Sequence, residues 1–155
     1  MTNLKYNLER HIELLKKEKN IRNEKKSFLK ENRKEAFELL DYNIHVEEHI
    51  EWEERFEIAS VIENFLDKQI NAHEFHDCVF GLRRKHIQKC ERFLLKLVSE
   101  EIKNFYPNKN ALKVKGFLSA LYFECEHFET NFNEEELYNS IKSGFFKFQK
   151  ILNEE

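Results

Sequence analysis

Residues 71–82, with the sequence NAHEFHDCVFGL, set the architecture expected for this chain. An Asn at a helix cap accepts a hydrogen bond from a backbone N–H that otherwise lacks a partner, and a Glu three residues later can bond the cap's own N–H. Asn71 and Glu74 have this spacing, and the apolar residues Phe75, Val79 and Leu82 follow at helical intervals. The stretch therefore predicts a capped amphipathic helix.

A second helix start lies at residues 133–137, NEEEL, where Asn133 stands three residues before Glu136. The 155 residues include only three Gly and one Pro, too few turn formers for a β architecture, whereas 15 Phe supply a large core. The predicted fold is all-α, an antiparallel helical bundle with an N-terminal helical extension. The apolar residues that follow Asn133 have helical spacing: Leu137, Ile141, Phe145, Phe148 and Leu152.

The predicted domains are a charged helical extension over residues 1–56 and a helical bundle over residues 57–155. Residues 16–27 almost lack an apolar face, so the extension is either one long helix with a solvated middle or two helices with a charged hinge. A break is expected at Tyr42-Asn43, and the helix that starts at Ala72 is expected to end near Tyr106-Pro107. The first helix is expected to open with Leu4, Leu8, Ile12 and Leu15.

Charge is distributed in blocks, although the net charge of -3 excludes no class of partner. Residues 16–34 carry nine Lys or Arg and three Glu, whereas residues 35–57 carry nine acids and one Arg. Residues 124–138 carry six Glu and neither Lys nor Arg. Such blocks favour pairing within the chain or with a charged partner.

The cysteines indicate a compartment. Cys78, Cys90 and Cys125 are an odd number without metal-ligand spacing, which favours free thiols in a reducing environment. The N-terminus lacks an apolar signal core, and no apolar run approaches the ~20 residues that a membrane span needs. We therefore expect a soluble intracellular protein, from a bacterial cytoplasm or an organelle interior, with no membrane span.

The leading candidate for a binding surface is a dense group of acids, which we call the acidic surface. Such a group would steer a basic partner into place and raise its association rate. The alternative is that acids in the first turn of a helix only complement its dipole, which would explain the members after Asn133 but not those before it. The members of the acidic surface are Glu124, Glu126, Glu129, Glu134, Glu135 and Glu136.

A second candidate surface lies within the acidic block of residues 47–57, where Glu48 and Glu51 flank Trp52. An exposed Trp among acids would anchor a partner well. The alternative is a Trp packed against the bundle, because Trp is usually largely buried.

Residues 45–49, HVEEH, match an inverted zinc-protease pattern, in which His45 and His49 share a helical face and Glu48 would be the base. Five residues match easily by chance in a chain with 7 His and many Glu, and no third ligand or substrate cleft is identifiable. The pairs His73/His76 and His86/Cys90 occupy ordinary structural positions. We therefore predict no catalytic residue, no metal, no cofactor and no enzymatic activity.

A basic helix face forms a further candidate. It could contact phosphates, or it could pair with the acidic block of the same chain. The aromatic residues expected between the cations for single-stranded nucleic acid face the core instead, so nucleic acid is not the expected partner. The face consists of Lys85, Lys89, Arg92 and Lys96.

Residues 62–75, IENFLDKQINAHEF, resemble the start of the bacterial self-protective colicin-like immunity proteins, which open with a Phe-Leu helix end, a short turn and a capped helix with Glu-Phe. Residues 117–121, FLSAL, and the Glu135-Glu136-Leu137 helix start are similar to that family's later signature. The resemblance covers about residues 57–152. It implies a small antiparallel bundle whose acidic side chains cover the basic cleft of a toxin nuclease.

Two features depart from that family. The helix through residues 83–105 is longer than usual, and the first ~55 residues, the excess over one small domain, have no counterpart. The predicted function is a non-enzymatic protein-binding module of the immunity type with a basic protein partner. The alternative is a structural or accessory subunit of a larger assembly, a multi-subunit complex in which the N-terminal helices dock on neighbours.

Overall fold

A computed structural model of the protein describes residues 5–154, which form seven α-helices and no β-strand. This confirms the all-α prediction. Leu4, expected at the start of the first helix, lies outside the described residues. None of the helices in the described part combines the length and apolar character needed to cross a bilayer. The helices are α1 (Leu8–Asn23), α2 (Phe28–Glu31), α3 (Arg33–Glu53), α4 (Arg55–Leu66), α5 (Ala72–Val98), α6 (Ala111–Asn131) and α7 (Glu134–Leu152).

Both predicted helix starts are confirmed. At the start of α5 the Asn71 side chain accepts a hydrogen bond from the Glu74 N–H at 2.9 Å, and the Glu74 carboxylate accepts one from the Asn71 N–H at 2.9 Å. At the start of α7 the Asn133 side chain accepts a hydrogen bond from the Glu136 N–H at 3.0 Å. These bonds satisfy backbone donors that have no partner inside the helix.

The N-terminal region forms two helical parts joined by a charged hinge, because α1 ends at Asn23 and α2 begins at Phe28. The expected break at Tyr42-Asn43 is wrong, since α3 runs through both residues. Tyr42 is 3% exposed, and Asn43 accepts a hydrogen bond from His11 Nε2 at 2.8 Å. Both side chains therefore bind α1 and leave the α3 backbone uninterrupted.

The break between α3 and α4 falls instead at Glu54. Arg55 stabilises it, because its guanidinium donates to the Trp52 carbonyl at 2.8 Å and to the Leu152 carbonyl at 3.0 Å. Carbonyls at a helix end have no partner within the helix, so one side chain satisfies acceptors at the ends of both α3 and α7.

The helix α5 ends at Val98, earlier than expected from Tyr106-Pro107. Glu100 adopts a left-handed backbone with φ 61, and the Glu101 N–H donates to the Lys96 carbonyl at 3.0 Å. This is a Schellman motif, which ends a helix without a proline.

Buried side chains form two cores that meet along α5. The C-terminal core lies among α4, the first half of α5, α6 and α7, and includes Phe75 and Phe148. The N-terminal core lies among α1, α3 and the second half of α5, and includes Leu14 and Leu97. The helix α3 belongs to the predicted extension but packs on α5 and α6 of the predicted bundle. The division of the chain into two domains at residue 56 therefore stays a prediction.

The cysteines are free thiols in two kinds of surroundings. Cys90 and Cys125 are buried, and burial raises the pKa of each thiol to about 12. Cys78 lies exposed on α5. Buried thiols with a raised pKa are inert packing groups.

Candidate functional site

The acidic surface lies where the last turns of α6 meet the first turn of α7. Glu126 faces Arg83 at 3.6 Å, and Glu129 Oε1 lies 2.5 Å from His76 Nε2. Within the described part of the chain, Glu124, Glu134 and Glu135 form no ion pair or side-chain hydrogen bond. The surface therefore combines one acid paired with Arg83, two acids in contact with histidines (Glu129 and Glu136), and three acids without an ion pair among the described residues.

Histidine contacts join three helices at the acidic surface, whose acids lie on α6 and α7. His76 of α5 contacts Glu129 of α6, and His127 of α6 lies 3.4 Å from Glu136 of α7. These contacts place side chains from separate helices side by side. From sequence alone, the six acids could be grouped only because they lie close together along the chain. The histidine contacts show which helices lie side by side at this surface.

Two exposed aromatic side chains lie among these acids. Phe123 and Phe132 are 65% and 64% exposed. Phe132 caps α6 in the left-handed region with φ 52, a conformation that a bulky residue adopts only when its surroundings impose it. Its ring contacts those of His73 and Phe128, with centroids 6.0 Å away in each case. Because most of this ring is exposed, it is better placed to contact a partner than to stabilise the core of its own chain.

The second predicted surface is not presented to solvent. Trp52 is 5% exposed in the C-terminal core, and the Arg55 guanidinium stacks 3.8 Å from the centre of its ring. Glu48 is also buried, and its carboxylate oxygens lie 3.7 Å from His45 Nδ1 and 3.9 Å from Lys115 Nζ. Both residues are structural in this arrangement.

The second histidine of the HVEEH motif is packed among aromatic rings. His49 packs its ring against Phe93 and Phe105, with centroids 5.6 and 4.8 Å away, and burial lowers its pKa. Within residues 5–154 no three His, Cys, Asp or Glu side chains are placed to share a metal ion.

The basic face of α5 pairs with the acidic block of the same chain. Lys85 Nζ lies 2.9 Å from a Glu57 oxygen, and Lys89 forms an ion pair with Glu54. These contacts are the alternative that the charge blocks predicted, and they occupy two of the four cations that would otherwise face phosphates.

A feature that sequence reasoning missed is a cleft of about 610 Å³ between α3, α5 and α6, which we call the central cleft. Each helix contributes one face, because the lining residues recur at intervals of three or four along it. The lining residues are Leu40, Asn43, Ile44, Glu47, Glu51, Arg83, His86, Ile87, Cys90, Glu91, Leu94, Lys115, Ser119 and Tyr122.

Two polar side chains in the central cleft lack hydrogen-bond partners. His86 is 5% exposed and both of its ring nitrogens are unpaired, as is Glu51 Oε2. Burial raises the pKa of Glu51 to about 7, and burial lowers the pKa of His86. Glu51 was predicted as a surface acid, but it points into a cleft. The available signal was its register with Leu40, Ile44 and Glu47 on one face of α3.

Comparison with protein-family models, curated proteins and solved structures gives no match for this chain. The resemblance to the colicin-like immunity proteins therefore stays a prediction.

Proposed function

We propose that this protein is a non-enzymatic binding module that docks a basic protein partner on its acidic surface, as the immunity resemblance implies. The observation that carries the proposal is the junction of α6 and α7. There, Glu124, Glu134 and Glu135 form no ion pair within the described residues, and Phe123 and Phe132 are exposed. A basic partner would supply the missing cations and cover the two rings.

The chemistry of such a surface supports fast and specific association. Unmatched carboxylates attract a basic protein over about a Debye length, which raises the association rate. Exposed aromatic rings give contact area at little conformational cost and are enriched at the energetic centre of interfaces. The combination favours a protein partner over a small metabolite.

The proposal is tested by charge reversal at the end of α6 with Glu124→Lys, Glu126→Lys and Glu129→Lys combined. Because Glu126 faces Arg83 and Glu129 contacts His76, circular dichroism and a urea midpoint first establish that the variant is folded. A basic protein isolated from the native source at low salt is titrated against the wild type and the variant. We expect the variant to raise Kd by roughly tenfold or more, because like charges across an interface repel.

The matched control reverses three exposed acids in the last turns of other helices, Glu31→Lys, Glu53→Lys and Glu63→Lys. It changes the net charge by the same amount as the first variant. A difference between the two variants therefore reflects the position of the acids and not the total charge. Equal weakening in both variants, or binding that ignores salt, would refute the proposal.

A second candidate function is that of an accessory subunit docked through the N-terminal region. One observation favours it. Phe37 and Leu40 lie three residues apart on α3 and are about half exposed, as is Leu29 on α2. The helix α1 packs on its own chain, so these outward side chains, not α1, would contact a neighbour.

This candidate predicts a complex that survives high salt, because apolar contact is not screened. The variant Leu29→Glu with Phe37→Glu is expected to leave the complex during gel filtration at high salt. If the variant elutes with the complex as the wild type does, docking through this face is excluded.

A further inference from the structure

We propose that the central cleft binds a small aliphatic amine, with its ammonium group at Glu51 and His86 and its stem along Leu40, Ile87 and Leu94. This inference does not depend on the acidic surface or its partner.

The first support is the unpaired polar atoms. Buried polar groups in folded proteins almost always have hydrogen-bond partners, because an unpaired group has lost its hydrogen bonds to water without replacement. Glu51 and His86 both line the central cleft, and Glu51 Oε2 and both nitrogens of His86 are buried without partners. An ammonium group has three N–H donors, which is enough to serve one acceptor on each of these two side chains.

The second support is the balance of charge. The two cations of the cleft are already matched, because Lys115 Nζ lies 3.8 Å from Glu47 and Arg83 lies 3.6 Å from Glu126 outside the cleft. Glu51 has no ion pair among the described residues. A cation entering the cleft would therefore find an acceptor, whereas an anion would face an unmatched carboxyl group.

The third support is the apolar wall. Leu40 and Ile87 are 53% and 52% exposed, and Leu94 lines the cleft beside them. Their aliphatic side chains suit a hydrocarbon stem, whose burial there would remove apolar surface from water. The volume of about 610 Å³ lies within the range typical of small-molecule sites.

The cleft also predicts a proton change on binding. With a pKa of about 7, Glu51 is partly protonated at neutral pH, and a bound ammonium group would ionise it and release a proton. Cys90 and Tyr122, with pKa values raised to about 12 by burial, stay protonated. The other ionisable groups that face Glu51 from the three helices are Glu47, Glu48, Arg83, His86, Glu91 and Lys115.

The test is calorimetric titration of the full chain with pentylamine, with pentanol and pentanoate as ligands of equal length and different charge. We expect saturable binding of one pentylamine per chain, with proton release in buffers of different ionisation enthalpy. Glu51→Gln keeps the shape of the side chain but removes its charge, so it should weaken binding by tenfold or more and abolish proton release.

The control variant is Glu53→Gln, an exposed acid of the same helix outside the cleft. It should bind pentylamine as the wild type does. The inference is overturned if pentylamine does not saturate, if pentanol binds equally well, or if Glu51→Gln and the wild type have the same Kd. Circular dichroism of both variants establishes that a lost signal does not reflect unfolding.

Discussion

Within residues 5–154, four non-glycine residues adopt a left-handed backbone, and each lies just after a helix. Lys25, Lys68 and Glu100 end α1, α4 and α5 through Schellman motifs, in which two N–H groups after the helix bond its last carbonyls. Glycine usually takes this position, but the chain has only three glycines, and none of them adopts a positive φ. Phe132 differs from the other three because its side chain is a large exposed ring.

Replacement of Phe132 by Gly should separate stability from binding. A left-handed conformation costs a non-glycine residue roughly 1–2 kcal/mol, which glycine avoids, so Phe132→Gly should stabilise the fold by about 1 kcal/mol. The same change removes an exposed ring of the proposed partner surface and should weaken partner binding. Urea unfolding and a binding titration measure the two effects. A variant that is destabilised, or that binds unchanged, would contradict this assignment.

The carboxyl group of Glu51 should make stability fall as pH rises. Its folded pKa of about 7 lies above the ordinary 4.5, so the folded state holds the proton more tightly and loses stability between those two values. Glu51→Gln removes this loss. We expect it to stabilise the protein by roughly 1–3 kcal/mol near pH 8 and by much less near pH 5.

Urea midpoints at the two pH values measure this effect, with Glu53→Gln as the control of the same helix. A gain from Glu51→Gln that is independent of pH would mean that Glu51 is already ionised in the folded protein at pH 5.

The starts of α5 and α7 were predictable from sequence and the end of α5 was not, for a physical reason. A start such as Asn71 requires a side chain that accepts a hydrogen bond, so residue type marks it. The end of α5 depends on backbone geometry at Glu100, which no residue type marks when glycine is absent. The central cleft was missed because its lining comes from three helices far apart in the sequence, and only their packing brings Glu51 and His86 to one cavity.

The capping box of α5 should contribute measurably to stability. Asn71→Ala removes the acceptor for the Glu74 N–H and should destabilise the protein by about 1 kcal/mol. The control is Asn139→Ala, at an exposed position inside α7 where Ala is the better helix former. Urea unfolding should show loss for the first variant and little change or a small gain for the second. Equal effects would show that the cap itself adds nothing.

Two cores share a single long helix, and this governs how the chain unfolds. The helix α5 buries Phe75 and Val79 in the C-terminal core and Cys90 and Leu97 in the N-terminal core. If one core unfolded alone, the half of α5 that belongs to it would lose its packing partners while the other half stayed packed. The predicted extension and bundle should therefore behave as one cooperative unit.

Leu14→Ala should test this coupling. Leu14 is fully buried in the N-terminal core, so its truncation should cost about 2–5 kcal/mol. Trp52, the only Trp, lies in the C-terminal core. If the cores are coupled, the fluorescence transition of Trp52 shifts with the circular dichroism transition. Separate transitions would instead support two independent domains divided near residue 56.

The placement of the thiols makes the native chain ready for single-site labelling. Cys90 and Cys125 are buried with raised pKa values, which leaves Cys78 as the thiol open to a maleimide near neutral pH. Cys78 lies two residues after His76 on α5, so it projects from a different side of the helix from the ring that contacts Glu129. A fluorophore attached there would label the protein away from the His76–Glu129 contact without any engineered cysteine.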